Sequence, residues 1–151
     1  MKTYTIETGN LEETQKLGEQ LGLHAEENMV FLMKGIIGAG KTTMTQGIAR
    51  GMGVRRTVSS PTFTIQKIYH GTSMDLYHID AYRLEGIEQD LGFEDDFENG
   101  GLTVIEWSEF FPGTLPEEYL SIEIRPIGDS TREIVLEAHG AAYEALLEEI
   151  Q

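Results

Sequence analysis

The spacing of hydrophobic positions changes several times along these 151 residues, and each change marks an element. Residues 3–7 (TYTIE) alternate as a strand does. Asn10 is placed to cap a helix beginning at Leu11, with Glu13 at the third helical position as in a capping box and Gly22 near its end. Residues 29–33 (MVFLM) are apolar without a break, the pattern of a strand buried on both faces. A glycine-rich turn follows, then a helix over residues 41–52 that Gly53 ends. Residues 62–69 and 75–81 read as two strands about an HGTS turn, and residues 102–105 (LTVI) as a short buried one. Residues 119–125 and 132–138 predict a hairpin about Gly128, Asp129 and Ser130. A last helix covers about 141–150. Strand–helix–strand early and hairpins late give an α/β class, a mixed β-sheet flanked by helices.

Length and composition narrow this to one domain over residues 1–151. Leu, Ile, Val and Phe number 39, about a quarter of the chain, which is enough for a packed core. There is no cysteine, so disulfides and thiolate chemistry are excluded. No stretch has the length and apolarity of a signal peptide or a spanning helix, so the expectation is a soluble, cytoplasmic protein that does not meet a membrane.

Charge divides the chain. The formal net charge is −15, yet residues 1–84 hold 9 basic and 8 acidic side chains, and residues 85–151 hold 2 and 18. Such a surface repels a phosphate backbone, which argues against non-specific nucleic-acid binding by the whole chain. The acidic half serves either as a solvated face or as a docking surface for a basic partner. Residues 28–83 carry 7 basic and 2 acidic groups, so the acid lies beyond a locally positive segment.

That positive segment contains the candidate chemistry. Residues 35–42 (GIIGAGKT) match G-x-x-x-x-G-K-[ST], the phosphate-binding loop, at every fixed position. The loop follows a buried strand and opens a helix, as the motif requires, which predicts a P-loop NTPase-like domain. Glycines let successive N–H groups turn toward a phosphate, and the helix adds its positive N-terminus. Gly38, Ala39, Gly40, Lys41, Thr42 and Thr43 are the nucleotide-binding candidates. Lys41 is placed to reach the β- and γ-phosphates and Thr42 to ligate Mg²⁺. An acidic partner for the metal belongs at the end of a neighbouring strand. Glu106 ends LTVI, and Asp80 ends the half-polar LYHI. Both belong near the metal, and the sequence leaves open which of them ligates it.

The guanine-reading Asn-Lys-x-Asp element is absent, which favours ATP over GTP. A kinase closes an Arg-bearing lid over the phosphoryl group. Beyond the first strand–loop–helix unit the arginines are Arg55, Arg56, Arg83, Arg125 and Arg132, and none clusters in the acidic half. Arg83, three residues after Asp80, is the candidate internal finger. Without one, a P-loop protein hydrolyses ATP slowly and depends on a partner for speed.

Four elements in this order and spacing resemble the TsaE (YjeE) family of small bacterial P-loop ATPases: GAGKTT, then SPTFT at 60–64, HIDAYRL at 78–84, and Glu106 with Trp107. The resemblance covers about residues 5–140. It implies a part in forming the threonylcarbamoyl modification of the adenosine beside the tRNA anticodon. The implied role is not the transfer itself. It is binding of the TsaB–TsaD pair, with ATP binding and hydrolysis driving that complex and tRNA met only through the partners. The family pattern makes Lys41, Asp80 and Glu106 catalytic, places Thr42, Asp80 and Glu106 at the metal, and makes residues 60–64 a switch sensing the γ-phosphate. Trp107 is then either a buried structural ring or a ligand-stacking one, and His78 a core or supporting group.

One departure stands out. The family often carries Asp after the first loop glycine, where this chain has Ile36. The cradle is backbone, so binding survives; a carboxylate able to orient water or meet a partner is missing. Ala81 replaces the commoner Leu, a packing change. Two other functions fit the same loop, a small-molecule phosphotransferase and a non-hydrolysing nucleotide-gated adaptor.

Overall fold

The structure, a computed structural model, describes residues 2–36, 38–58, 66–81, 97–98, 100–110 and 115–151. In chain order the elements are β1 (Lys2–Thr8), α1 (Leu11–His24), β2 (Val30–Lys34), α2 (Lys41–Gly51), β3 (Gln66–His70), β4 (Asp75–Asp80), β5 (Leu102–Glu106), a 3₁₀ turn (Ser108–Phe110), β6 (Tyr119–Pro126), β7 (Arg132–His139) and α3 (Ala141–Glu149). Each expected element is present in its described part. Residues 62–65 of the third expected strand lie outside the described residues, as do residues 60–64 and Arg83.

All seven strands join one mixed sheet in the order β1-β7-β6-β2-β5-β4-β3. β2 pairs in parallel with β5 and β6, and β4 pairs in parallel with β5. The remaining pairs, β1 with β7, β6 with β7 and β3 with β4, are antiparallel. The apolar runs sit where their sequence demands: Val30, Phe31, Leu32 and Met33 are all buried, as is the whole of β5. β6 and β7 alternate instead, because one face of that wing is open.

Strand periodicity divides the core in two. Phe31, Met33, Leu76, Leu102 and Val104 face the main cluster, which gathers side chains from all three helices. Val30, Leu32, Ile79 and Ile105 point the other way, into a smaller cluster with Phe97 and Trp107. Tyr143 of α3 fastens its helix to the central strand, its hydroxyl accepting the buried Val30 N–H at 2.8 Å. Tyr143→Phe keeps the ring but orphans that donor. It should lower stability by about 1–2 kcal/mol, read as a shift in the urea midpoint at unchanged slope.

Helix α1 starts as its sequence requires. The Asn10 side chain accepts the Glu13 N–H at 2.8 Å. The Glu13 carboxylate accepts from Gly9 N–H at 2.9 Å, so the return bond falls one residue before the cap. α1 and α2 run side by side in the same direction at near-backbone distance. A Cβ on Gly22 would stand 2.0 Å from the Ile48 carbonyl oxygen, and one on Gly47 2.2 Å from that of Gln15. Gly18 and Gly51 meet Met44 and Glu19 in the same way. Two Gly-x-x-x-Gly faces therefore interlock. Because the helices are parallel, both N-termini reach the same edge of the sheet, where Leu11 and Thr14 of α1 and Gly40 and Thr43 of α2 line one cavity.

Candidate functional site

The carboxyl ends of β2, β4 and β5 lie together, the position at which an open α/β sheet binds its ligands. From the end of β2 the chain turns through the glycine-rich loop into α2. Gly38 (φ 83°) and Gly40 (φ 112°) hold left-handed backbone that favours glycine, and a Cβ on Gly38 would meet nothing within 4 Å. Glycine is needed there for conformation, and the space beside it is open. Ile36 projects outward, 66% exposed, and shares in the site through its carbonyl.

Lys41 is the first residue of α2 and is only 6% exposed. Its Nζ donates to the carbonyl oxygens of Gly35 at 2.6 Å and Ile36 at 2.9 Å, tying the loop's beginning to the helix. The same ammonium lies 4.2 Å from the centre of the Trp107 ring. Trp107 takes a left-handed backbone (φ 57°) unusual for a bulky residue, with its N–H bonded to the Met33 carbonyl at 3.1 Å. That conformation, which costs about 1–2 kcal/mol, turns the chain just past β5 where the ring meets the lysine. Burial lowers the Lys41 pKa below the ordinary lysine value, and the carboxylates of Glu106, Glu109 and Asp80 act against that shift.

Asp80 and Glu106 are register partners on the parallel strands β4 and β5, which places both side chains on one face. The Ala81 N–H donates to the Glu106 carbonyl at 2.9 Å and keeps the two strand ends abreast. Glu106 is buried, and its carboxylate accepts a hydrogen bond from Nε2 of the fully buried His78. His78 precedes Asp80 by two residues and so shares its face. Its other ring nitrogen has no partner among the described residues. His78 is thus a supporting group that fixes the Glu106 carboxylate.

Lys41, Asp80 and Glu106 are brought together, and Thr42 follows Lys41 on the first turn of α2. Gly38, Ala39 and Gly40 form the turn before that helix, and Thr43 faces the cavity of about 120 Å³ between α1, α2 and the β6–β7 turn. Sequence reasoning missed two members of the site. Glu109, in the 3₁₀ turn, acts electrostatically on Lys41, and its signal was the carboxylate three residues beyond Glu106. Arg132, at the start of β7, donates to the Ala39 carbonyl at 2.7 Å, and no local pattern announces it.

The residues present suit a nucleotide and a hard divalent cation. A backbone cradle leads into the N-terminus of an 11-residue helix. Among the described residues no group of three His, Cys, Asp or Glu could hold a metal on its own. The donors on offer, a threonine hydroxyl and one or two carboxylates, would suit a magnesium ion taking its other ligands from phosphate and water.

Comparison with known proteins gives the family of the chain. Residues 8–134 match the family model described as "Threonylcarbamoyl adenosine biosynthesis protein TsaE". The tRNA threonylcarbamoyladenosine biosynthesis protein TsaE of Bacillus subtilis (strain 168) is 42% identical over 150 residues, which is 99% of this chain and 95% of that protein. The Treponema pallidum (strain Nichols) protein of the same name is 38% identical over 127 residues, 83% of this chain and 93% of that one. Among solved structures, Bacillus subtilis YdiB superimposes with a TM-score of 0.86 at 38% identity, covering 99% of this chain and 94% of that one. On the sequence match, the fold and the place of the loop within it, the chain belongs to the TsaE family of tRNA threonylcarbamoyladenosine biosynthesis.

Proposed function

We propose that this protein is the ATP-binding and hydrolysing component of the tRNA threonylcarbamoyladenosine machinery, and that it drives the cycle of the TsaB–TsaD pair. The observation that carries this reading is the buried Lys41 ammonium at the mouth of the loop, facing the Asp80–Glu106 pair from the first turn of α2. A lysine held this way is pre-oriented for phosphate, and two carboxylates on adjacent strands suit the metal that accompanies it. Gly38, Ala39, Gly40, Lys41, Thr42 and Thr43 bind the phosphates, and the cavity beside Thr43 leaves room for part of the nucleoside. Thr42 with Glu106 or Asp80 holds Mg²⁺, and the ion, when bound, supplies positive charge against the transferring phosphoryl group. His78 holds Glu106 in place, and Trp107 closes the lysine's flank against water.

Hydrolysis by the isolated protein is slow in this reading. Arg132, which touches the loop, is engaged by backbone carbonyls, so speed depends on what TsaB and TsaD add. tRNA is met through those partners.

The test mixes the purified protein with a TsaB–TsaD complex, with and without Mg-ATP, and follows co-purification and ADP release. The expected result is association that requires ATP, with faster ADP release in the complex. Failure to associate in the presence of Mg-ATP would remove the reading. Association with ADP release still at background would make the protein a nucleotide-gated adaptor. Rapid ADP release with a small acceptor and no protein partner would make it a phosphotransferase.

A further inference from the structure

Arg132 lies 93 residues beyond Ala39 in the chain, yet its Nε donates to the Ala39 carbonyl oxygen at 2.7 Å. Nη1 of the same guanidinium reaches the carbonyls of Thr131 at 3.0 Å, Gly128 at 3.2 Å and Asp129 at 3.5 Å. One planar group thus spans two backbones, the phosphate loop on one side and the β6–β7 turn on the other. All of these partners are backbone carbonyls.

The consequence follows from peptide geometry. The Ala39 carbonyl and the Gly40 N–H belong to one planar trans unit and point in opposite directions. A donor that holds the carbonyl therefore also fixes where the N–H points, which is away from Arg132. Gly40 is itself in left-handed backbone (φ 112°), and a Cβ built there would stand 4.0 Å from Arg132 Nε. Left alone, a glycine-rich loop samples many orientations of this peptide, because glycine loses the most conformational freedom on being fixed. Ala39, fully buried, and Arg132 together remove that freedom before any anion arrives.

We propose that Arg132 is a positioning residue of the phosphate loop: it holds the Ala39–Gly40 peptide so that the Gly40 N–H faces into the cradle, and it makes the β6–β7 turn part of the nucleotide site. This inference rests on the ATP-binding reading above. Arginine suits the task because its donors form a rigid fork, with Nε and Nη1 directed at different acceptors. A lysine at the same place keeps the charge but gathers its three donors on one nitrogen at the end of a flexible stem, without the rigid fork that directs separate nitrogens at the two backbones.

Calorimetric titration with Mg-ATP of the wild type, Arg132→Lys and Arg132→Gln tests the proposal. Hydrogen exchange across residues 35–43 without nucleotide and thermal melts of all three proteins accompany it. Positioning predicts that Lys and Gln each weaken ATP binding about tenfold or more, with faster exchange in the free loop and melts close to wild type. Full affinity in Arg132→Lys with reduced affinity in Arg132→Gln would mean that charge alone matters, and would overturn the proposal. Equal affinity in all three proteins would overturn it as well. If exchange in the loop were unchanged while both variants bound weakly, pre-orientation would be wrong. A wild type that fails to bind Mg-ATP at all would instead remove the underlying reading, and this proposal with it.

Discussion

Lys41→Met should reduce affinity for Mg-ATP by at least a hundredfold while leaving the fold intact. The ammonium already has a place at the loop, bonded to the Gly35 and Ile36 carbonyls and set against the Trp107 ring. A nucleotide needs only to redirect these short hydrogen bonds toward its phosphates. Hydrogen bonds to charged groups contribute about 1.5–3 kcal/mol each. Losing two of them weakens binding by roughly two to four powers of ten at about 1.4 kcal/mol per tenfold. Methionine preserves the length of the apolar stem, so the packing of a residue only 6% exposed is largely kept. Folding should change little for a second reason. Burial disfavours the ammonium, as its lowered pKa records, so removing the charge relieves a destabilising contribution while two carbonyl contacts are lost. Titration calorimetry with Mg-ATP reads the affinity, and a circular-dichroism melt reads the fold. Affinity within tenfold of wild type in a well-folded Lys41→Met protein would remove Lys41 from the site. Glu106→Gln offers a separate contrast. It keeps a partner for His78 but replaces one of the two carboxylates proposed for the metal, so under that proposal it should weaken Mg²⁺ dependence far more than nucleotide affinity without metal.

The features legible in the sequence are those whose cause is local. The phosphate loop needs particular residues within a stretch of eight, and the buried strand before it announces itself through an unbroken apolar run. Asp80 and Glu106 could be named because each ends a strand. Their placement as register partners depends on β4 pairing with β5 in parallel, which neither segment encodes alone. The same limit hid the sheet order. The late hairpin of β6 and β7 was readable, but its insertion between β1 and β2 is set by which edge each strand finds. Arg132 was counted as one of a few scattered arginines, since its partner, Ala39, lies 93 residues away and accepts through a main-chain carbonyl common to every residue. The close packing of the α1 and α2 glycines has no local signal in either helix. Gly22 does lie near the end of α1, two residues before His24, but its place against the backbone of α2 is set by the partner helix.

That contact carries the largest effect on stability. Gly47→Ala should destabilise the protein by about 3 kcal/mol, the upper range for overpacking a well-filled contact. In an exposed helix the same change would stabilise by about 1 kcal/mol, because alanine is the better helix former. Here the new methyl would sit 2.2 Å from the Gln15 carbonyl oxygen, and the obstacle is backbone, which has no rotamer with which to move aside. The helices must separate by more than an ångström, and every contact along the seam is loosened together. For a chain of this size the expected fall in melting temperature is roughly 6–12 °C. Gly128→Ala in the β6–β7 turn is the control. Its methyl would meet only the Thr131 side chain, at 3.4 Å, so a change near zero is expected there. Gly22→Ala, at 2.0 Å from the Ile48 carbonyl, should resemble Gly47→Ala when made alone. Combined with Gly47→Ala it should add less than its own full effect, since the first methyl has already parted the helices and the second enters the gap. The separation also reaches the site. α2 carries Lys41, Thr42 and Thr43 on its first turn, and α1 carries Leu11 and Thr14 on the other side of the same cavity. Both single variants should therefore bind Mg-ATP more weakly than the wild type even at temperatures where they remain folded. Strictly additive losses of stability, or a Gly47→Ala protein as stable as wild type, would show that the two helices are not held at backbone contact in solution.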